Sequence, residues 1–206
     1  GPVRDPEHAA RLAQAQRAVQ LDEAASRPRS LLGFIHIYRR EYDEAYAQLR
    51  AAITLNPNDV EARGTYGLYL IAVGETEAAI EQFAIAKRHN PFEVEWVIVC
   101  RGIALFTARR YADAVATLTQ AHNPTNELRC WLAASYAAAG RVDEARATLA
   151  QFLATAERDM ERFPGHRLAD WEPYLHRLIE YRDPRAFDQL FAALRKHGIN
   201  PRDPRE

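Results

Sequence analysis

The chain has 206 residues, a length that fits one compact domain or one short solenoid of repeats. Apolar residues make up 48% of the chain and charged residues 27%, so the sequence can bury a substantial core and is not disordered throughout. The formal net charge of −1 gives no overall attraction to nucleic acid or to an anionic membrane, and we expect neither as a partner.

The cysteine content and the ends of the sequence suggest a setting for the protein. Its two cysteines, Cys100 and Cys130, lack the spacing of a metal site or of a disulfide framework and favour a reduced, cytoplasmic environment. No apolar run reaches the roughly 18–20 residues of a membrane span, and no signal peptide opens the chain. Gly1-Pro2 resembles the scar of a cleaved expression tag, and the excess of arginine and alanine favours a bacterial source.

The sequence repeats itself at a period of 34 residues. Small, aromatic and proline positions recur in register, in the pairs Gly33/Gly67, Ala45/Ala79, Leu49/Phe83, Ala52/Ala86 and Pro57/Pro91. A third copy follows after 35 residues and a fourth after 31. The second of these steps is short because Asn123-Pro124 predicts an early end to the second helix of the third copy. Ala18 lies 34 residues before Ala52, so half a copy, a lone second helix, precedes the first full one.

Each full copy is predicted to be a helix–turn–helix hairpin. The first helices carry a small residue where they approach their partners closely, at Gly33, Gly67, Gly102 and Ala133. The second helices carry an alanine for the same reason, at Ala45, Ala79, Ala114 and Ala145. Asn-Pro pairs end the copies, because the residue before proline avoids the helical region. Gly74 and Gly140 supply turns within copies.

The recurring positions over residues 9–157 resemble the tetratricopeptide-repeat (TPR) family. The signature tryptophan is missing, and Arg29 and Arg63 stand in its place. The resemblance implies an all-α fold: a right-handed α-solenoid of about four helical hairpins, with a preceding half-repeat and C-terminal capping helices. It also implies a non-catalytic scaffold that binds other proteins.

We predict a single solenoid over residues 3–199, followed by a flexible tail at 200–206. Its parts are a half-repeat at 6–25, repeats at 26–59, 60–94, 95–125 and 126–163, and capping helices at 167–199. Within the last two parts, we expect helices at 141–163 and near 169–181. A final helix begins at Asp183-Pro184, with proline in its first turn, and ends at Gly198.

The C-terminal end carries a second, narrower resemblance. Tyr181-Arg182-Asp183-Pro184 and the segment Leu194–Ile199 resemble the end of the TPR region attached to many bacterial class III adenylate or guanylate cyclases and related regulators. This resemblance implies a signalling role in which the chain is the regulatory or oligomerisation region of a larger protein. Catalytic activity would then lie outside these residues.

The first helices carry more apolar residues than packing within the hairpins requires. The candidate partner-binding residues are Phe34, Ile37, Tyr38, Leu68, Ile71, Trp96, Val99, Ile103 and Phe106. Three interpretations stay open: a groove for an extended or amphipathic peptide, additional core covered by the terminal helices, or a surface for self-association. A homo-oligomer is therefore one of the expected outcomes.

Specific chemistry is not indicated by the sequence. The clamp with which related chaperone-tail binders hold a carboxylate needs lysine and asparagine where this chain has Ser30, Phe34, Gly64 and Leu68. His36 lies on an apolar helix and is expected to be a hydrogen-bonded interior residue rather than a pH sensor. We find no nucleotide-binding, metalloprotease or nucleophile-elbow motif. We therefore predict no enzyme activity, no catalytic or metal-binding residue and no cofactor.

Overall fold

The computed structural model describes residues 6–161 and 185–198. Every regular element in these two ranges is an α-helix. In chain order they are α1 Pro6–Leu21, α2 Ser26–Tyr38, α3 Tyr42–Leu55, α4 Val60–Ala72, α5 Thr76–His89, α6 Glu95–Thr107, α7 Tyr111–Leu118, α8 Asn126–Ala138, α9 Val142–Glu161 and α10 Arg185–Lys196. The predicted all-α class, a solenoid type built of helical hairpins, is confirmed. The helix expected near 169–181 lies outside the described residues.

The described helices fall into two compact units, α1–α5 ending at Glu93 and α6–α10 beginning from Val94. In the first unit α2 pairs with α3 and α4 with α5, α1 packs on α2, and the first helices α2 and α4 contact each other. In the second unit α6 pairs with α7 and α8 with α9, while α10 packs on α8. The limits of the predicted solenoid and its tail stay predictions.

Small residues allow the two helices of a hairpin to approach closely, as the repeat pattern predicts. Ala45, Ala79 and Ala114 are completely buried on the second helices. A Cβ atom added to Gly67 would lie 2.6 Å from Cζ of Phe83, and Leu49 and Leu118 crowd the equivalent glycines of their own hairpins in the same way. Because protein interiors are close-packed, each glycine creates the space that its large partner fills.

The turn inside each hairpin needs one residue with a left-handed backbone at the fifteenth position of the repeat. Gly74 and Gly140 meet this need with φ of 87° and 80°, as predicted. At the same position Arg40 and Arg109 adopt φ of 60°, which costs a residue with a side chain about 1–2 kcal/mol. The two arginines therefore lie in the turn itself, beyond the last helical residues Tyr38 and Thr107.

In the first two full hairpins, the arginine at the position of the missing tryptophan links the two helices. Nη1 of Arg29 donates to Oε1 of Gln48 at 3.3 Å, and Nη1 of Arg63 donates to Oε1 of Gln82 at 2.8 Å. The two members of each pair are 19 residues apart, so the link recurs in register. Hydrogen bonds from a charged donor are stronger than neutral ones, which suits them to replace an apolar contact.

The boundaries between repeats follow from asparagine and proline. Oδ1 of Asn56 accepts a hydrogen bond from the amide of Asn58 at 3.1 Å, and Oδ1 of Asn90 accepts one from the amide of Phe92 at 3.0 Å. Each bond closes a turn over the proline that follows the asparagine. Asp59 then caps α4 by accepting from the amides of Glu61 and Ala62. The predicted shortening of the third hairpin is confirmed, since α7 has 8 residues where α3 and α5 have 14.

Candidate protein-binding surface

The structure divides the nine candidate residues into an exposed group and a buried group. Phe34, Tyr38 and Trp96 are 37%, 40% and 38% exposed. The other six are at most 7% exposed, and they are Ile37, Leu68, Ile71, Val99, Ile103 and Phe106. A side chain with so little exposure cannot offer area to a partner unless its surroundings open. The binding role of all nine stays a prediction, and the surfaces available for it are those of the exposed three.

In the first unit the exposed residues form an apolar stripe on α2. The rings of Phe34 and Tyr38 lie 4.8 Å apart between centroids and are tilted by 51°, a geometry that favours aromatic pairs. Leu31, one turn before Phe34, is 51% exposed and extends the same side of the helix. We name Leu31, Phe34 and Tyr38 the α2 stripe. Together they expose aromatic and aliphatic area of the kind enriched at protein interfaces.

A polar cluster at the end of α2 fixes the backbone beneath the stripe. Nδ1 of His36 lies 2.7 Å from Oε2 of Glu41, and Nε of Arg39 donates to the same carboxylate at 2.9 Å. The hydrogen bond from Arg39 is the main reason that the pKa of Glu41 lies below its usual value. The expected hydrogen bond of His36 is confirmed, and its side chain is 12% exposed, which places it in a partly buried position rather than in the interior.

A tyrosine cluster in the first unit was not anticipated from the repeat pattern. Ring centroids of Tyr66 and Tyr69 lie 5.9 Å apart and are nearly parallel, and Tyr46 of α3 packs against both at 6.4 and 5.9 Å. Burial raises the pKa of Tyr66 above its usual value. Tyr46 is 46% exposed and forms the outer edge. Two tyrosines at helical spacing on α4 and one on the adjacent α3 were the available signal.

In the second unit the candidate residues of α6 are mostly core. Ile103 and Phe106 are essentially inaccessible. The ring of Phe106 meets the ring of Trp131 on α8 edge to face at 5.5 Å, and Trp131 in turn packs against Phe187 of α10 at 5.7 Å. The apolar side of α10 is buried here, at Phe187, Leu190, Phe191 and Leu194. Only Trp96, near the start of α6, remains accessible among the candidates of this unit.

One ionisable group of the second unit, Glu127, is largely but not fully buried, and the sequence did not identify it. Burial raises the pKa of the Glu127 carboxyl to about 7, although the residue lies in the first turn of α8, where the helix dipole favours a negative charge. Burial raises the pKa values of the thiols Cys100 and Cys130 as well, and the charge of Glu127 adds to this effect. These thiols are therefore inert as nucleophiles near neutral pH.

The remaining chemistry of the described residues is sparse. Within residues 6–161 and 185–198, no cluster of three or more histidine, cysteine or carboxylate side chains is arranged to hold a metal ion. None of the helices in this part of the chain is long and apolar enough to cross a membrane. The features that these residues do expose are the apolar and aromatic side chains described above.

Comparison with known proteins agrees with the helical-hairpin architecture. Residues 105–163 match the family model described as tetratricopeptide repeat. The structure is similar to TTC0263, a thermophilic TPR protein of Thermus thermophilus, with 22% identity and a TM-score of 0.62, covering 75% of this chain and 86% of that one. It is also similar to YrrB, a TPR protein with an unusual peptide-binding site, with 19% identity, a TM-score of 0.59, and coverage of 90% and 94%.

A search of curated proteins finds no sequence relative of the chain. Because the two similar structures share only 22% and 19% sequence identity with this chain, they show its fold and nothing about its function. The family match covers α7–α9 and part of α6, so it supports the resemblance on residues other than those of the α2 stripe. None of these comparisons bears on the resemblance of the C-terminal end to cyclase-attached regions. Residues 105–163 thus match the tetratricopeptide repeat, and the fold of the chain is similar to that of two solved proteins built of such helical hairpins.

Proposed function

We propose that the protein is a non-catalytic scaffold that binds a segment of another protein through the exposed apolar residues of its first helices. The single observation that carries the proposal is the paired rings of Phe34 and Tyr38, which stay accessible on a helix whose opposite side is packed. Clusters of exposed aromatic residues supply most of the binding energy at many protein interfaces. The peptide-binding site of the similar protein YrrB is consistent with this proposal.

Burial narrows the proposed surface. The α2 stripe is available in the first unit and Trp96 is available in the second, whereas Ile103 and the other inaccessible candidates support the fold. The contact therefore involves the faces of individual helices rather than a groove formed by all nine residues. Self-association through the same residues is the competing use of this surface.

The proposal is tested by affinity capture with the wild-type chain and two variants. Phe34→Asp places a charge in the centre of the stripe, and Leu55→Asp places one at a similarly exposed position at the end of α3. We expect a protein that is enriched on the wild type to be lost on Phe34→Asp and kept on Leu55→Asp, with helical content unchanged in both. Equal capture by all three baits would contradict the proposed surface.

The second proposal, that the chain is the regulatory or oligomerisation region of a bacterial cyclase or similar signalling protein, rests on the resemblance of its C-terminal end. Of the residues that carry this resemblance, Leu194–Gly198 lie at the end of α10 and Tyr181–Pro184 lie outside the described residues. The sequence of the complete gene tests it. A nucleotide-cyclase domain in the same polypeptide supports the proposal, and a free-standing repeat protein contradicts it.

A further inference from the structure

The last described helix, α10, packs on α8 through one apolar side. Its large apolar residues recur at helical spacing and are at most 2% exposed, and they are Phe187, Leu190, Phe191 and Leu194. Asp188, Ala192 and Lys196 lie on its remaining sides and are exposed. Within residues 6–161 and 185–198, no helix pairs with α10 in a hairpin. In this part of the chain α10 is therefore a helix bound to the first helix of the fourth repeat.

The side of α8 next to α10 combines one large ring with small residues. The ring of Trp131 lies 5.7 Å from that of Phe187, between centroids. Ala134, Ser135 and Ala138 follow Trp131 at helical spacing and share its side of α8. The hydroxyl of Ser135 donates to the carbonyl of Trp131 at 2.7 Å, so it asks nothing of a neighbouring helix. We name these four residues the α8 face.

The fourth repeat differs from the others on this face. The ninth residue of a repeat is Phe34, Leu68 and Ile103 in the first three copies, and it is Ala134 in the fourth. Ala134 is nevertheless completely buried. The large residues of α10 therefore supply the volume that this repeat lacks, because protein interiors are close-packed. The matching of small against large residues indicates that the α8 face is adapted to receive a helix.

The polar part of the α8 face is not matched by α10. Trp131 is completely buried, and among the described residues no atom accepts a hydrogen bond from its Nε1. A buried donor without an acceptor destabilises the contact, because the hydrogen bond that it makes to water in the open state is lost. A helix that brings an oxygen atom to this place would bind more favourably than α10 does.

The unpaired donor also distinguishes between occupants. The α10 helix of a second copy would leave Nε1 of Trp131 unpaired as well, so it has no advantage over the helix already present. A helix of another protein with an acceptor at this place has that advantage. The observations thus favour a different protein over self-association.

We propose that the α8 face binds an amphipathic helix of a partner protein, and that α10 is the intramolecular competitor of this helix. The partner helix carries large apolar residues at the spacing of Phe187, Leu190, Phe191 and Leu194, and a hydrogen-bond acceptor for Nε1 of Trp131. The α8 face belongs to the second unit. The inference goes beyond the proposed function, which rests on the α2 stripe of the first unit.

The first test needs no variant. A competitor helix must leave its place while the hairpin beneath it stays folded. In native-state hydrogen exchange of the full chain, the amides of α10 should therefore exchange through an opening that leaves α8 and α9 protected. Exchange of α10 only together with α8 and α9 would overturn the inference, because α10 would then be an inseparable part of the core.

The second test supplies α10 as a separate helix. A labelled, end-blocked peptide with the sequence of residues 183–199 is titrated into the full chain and followed by fluorescence anisotropy. Leu190→Asp combined with Leu194→Asp in the protein should release its own α10, so that the peptide binds saturably and about tenfold or more tightly than to the wild type. Ala192→Asp, on the exposed side of α10, is the matched control and should bind the peptide as weakly as the wild type.

Two outcomes of this titration would overturn the inference. One is equal binding of the peptide to the wild type and to the released protein. The other is dimerisation of the wild type in sedimentation velocity that Leu190→Asp with Leu194→Asp abolishes, because the occupant would then be α10 of a second copy.

A series of peptides tests the hydrogen bond to Trp131. Glutamine replaces one residue at a time in the labelled peptide, and each form is titrated into the released protein. We expect one or more of these forms to bind several-fold more tightly than the parent peptide. This gain should disappear when the protein also carries Trp131→Phe, which keeps an aromatic ring and removes the donor. A series in which no form exceeds the parent would overturn the proposed partner chemistry.

The α2 stripe provides an independent reference. Phe34→Asp should leave binding of the peptide to the released protein unchanged. If the peptide fails to bind while Phe34→Asp still loses a captured protein, this inference fails and the proposed function stands.

Discussion

Replacement of Glu127 by glutamine should change how the stability of the protein depends on pH. Burial raises the pKa of this carboxyl from its usual 4.5 to about 7. The folded state therefore holds the proton more tightly than the unfolded state, and the free energy of unfolding falls as pH rises between these values. One pKa unit corresponds to about 1.4 kcal/mol. The loss therefore approaches about 3 kcal/mol, an upper value because the side chain keeps some access to water.

The effect of Glu127 is measured as a difference between two proteins. Urea unfolding of the wild type and of Glu127→Gln, followed by circular dichroism at pH 4.5, 6 and 7.5, gives the two free energies of unfolding. The amide is neutral at each pH, so the variant should gain on the wild type by about 2–3 kcal/mol between the lowest and highest pH. Acids that both proteins share, such as Glu41, cancel in the difference.

A matched control is provided by Glu77→Gln, at an exposed position in the first turn of α5. Its stability should follow the wild type across the same pH range. A difference between the wild type and Glu127→Gln that stays constant with pH would refute the reasoning, because the carboxyl would then titrate alike in the folded and unfolded states.

Three further predictions concern packing, turn geometry and the division of the candidate residues. Gly67→Ala should destabilise the protein by about 1–2 kcal/mol in urea unfolding, because its Cβ would lie 2.6 Å from a completely buried Phe83 ring; unchanged stability would contradict the close approach. Arg109→Gly should stabilise it by about 0.5–1 kcal/mol by relieving the backbone at φ 60°, and a loss of stability would mean that the arginine side chain contributes more than the strain costs. Ile103→Asp should lose helical circular dichroism and unfold, because a charge would be buried without a partner, whereas Phe34→Asp should keep its helicity; a folded Ile103→Asp protein would show that this side chain reaches solvent.

The hairpins could be predicted from sequence because their determinants are local and repeat in register. A glycine at 67 facing Phe83, alanine at 79 and Asn90-Pro91 together specify one helix pair and its end, and the structure places each as expected. Internal repetition strengthened a prediction that one copy alone would not support, since the same positions recur after 34 residues.

The turns and cross-links could not be predicted in the same way. Nothing in the sequence distinguishes Arg40 and Arg109, which adopt a left-handed backbone, from arginines that end a helix. The link from Arg29 to Gln48 likewise depends on the relative rotation of two helices. An alignment of the four repeats could have identified the strained arginines, because two of the four fifteenth positions hold glycine.

The sequence also could not predict which of the candidate residues are exposed to solvent. An apolar stripe predicts that a helix side is covered or binding, but burial depends on residues far away in the chain. Leu68 and Ile103 are as apolar as Phe34 and occupy the same repeat position, yet only Phe34 is exposed. Leu31 was not among the candidates, because its exposure follows from the place of α2 within its unit.

The dissociation constant of the captured partner measures the central claim most directly. It should be determined by calorimetry for the wild type, Phe34→Asp and Leu55→Asp, each shown to be folded by circular dichroism. A charge in the centre of an apolar interface should weaken binding roughly tenfold or more, while the change at Leu55 should leave the constant within about twofold. Equal dissociation constants for all three proteins would contradict binding through the α2 stripe, which is the part of the first helices that carries the proposal.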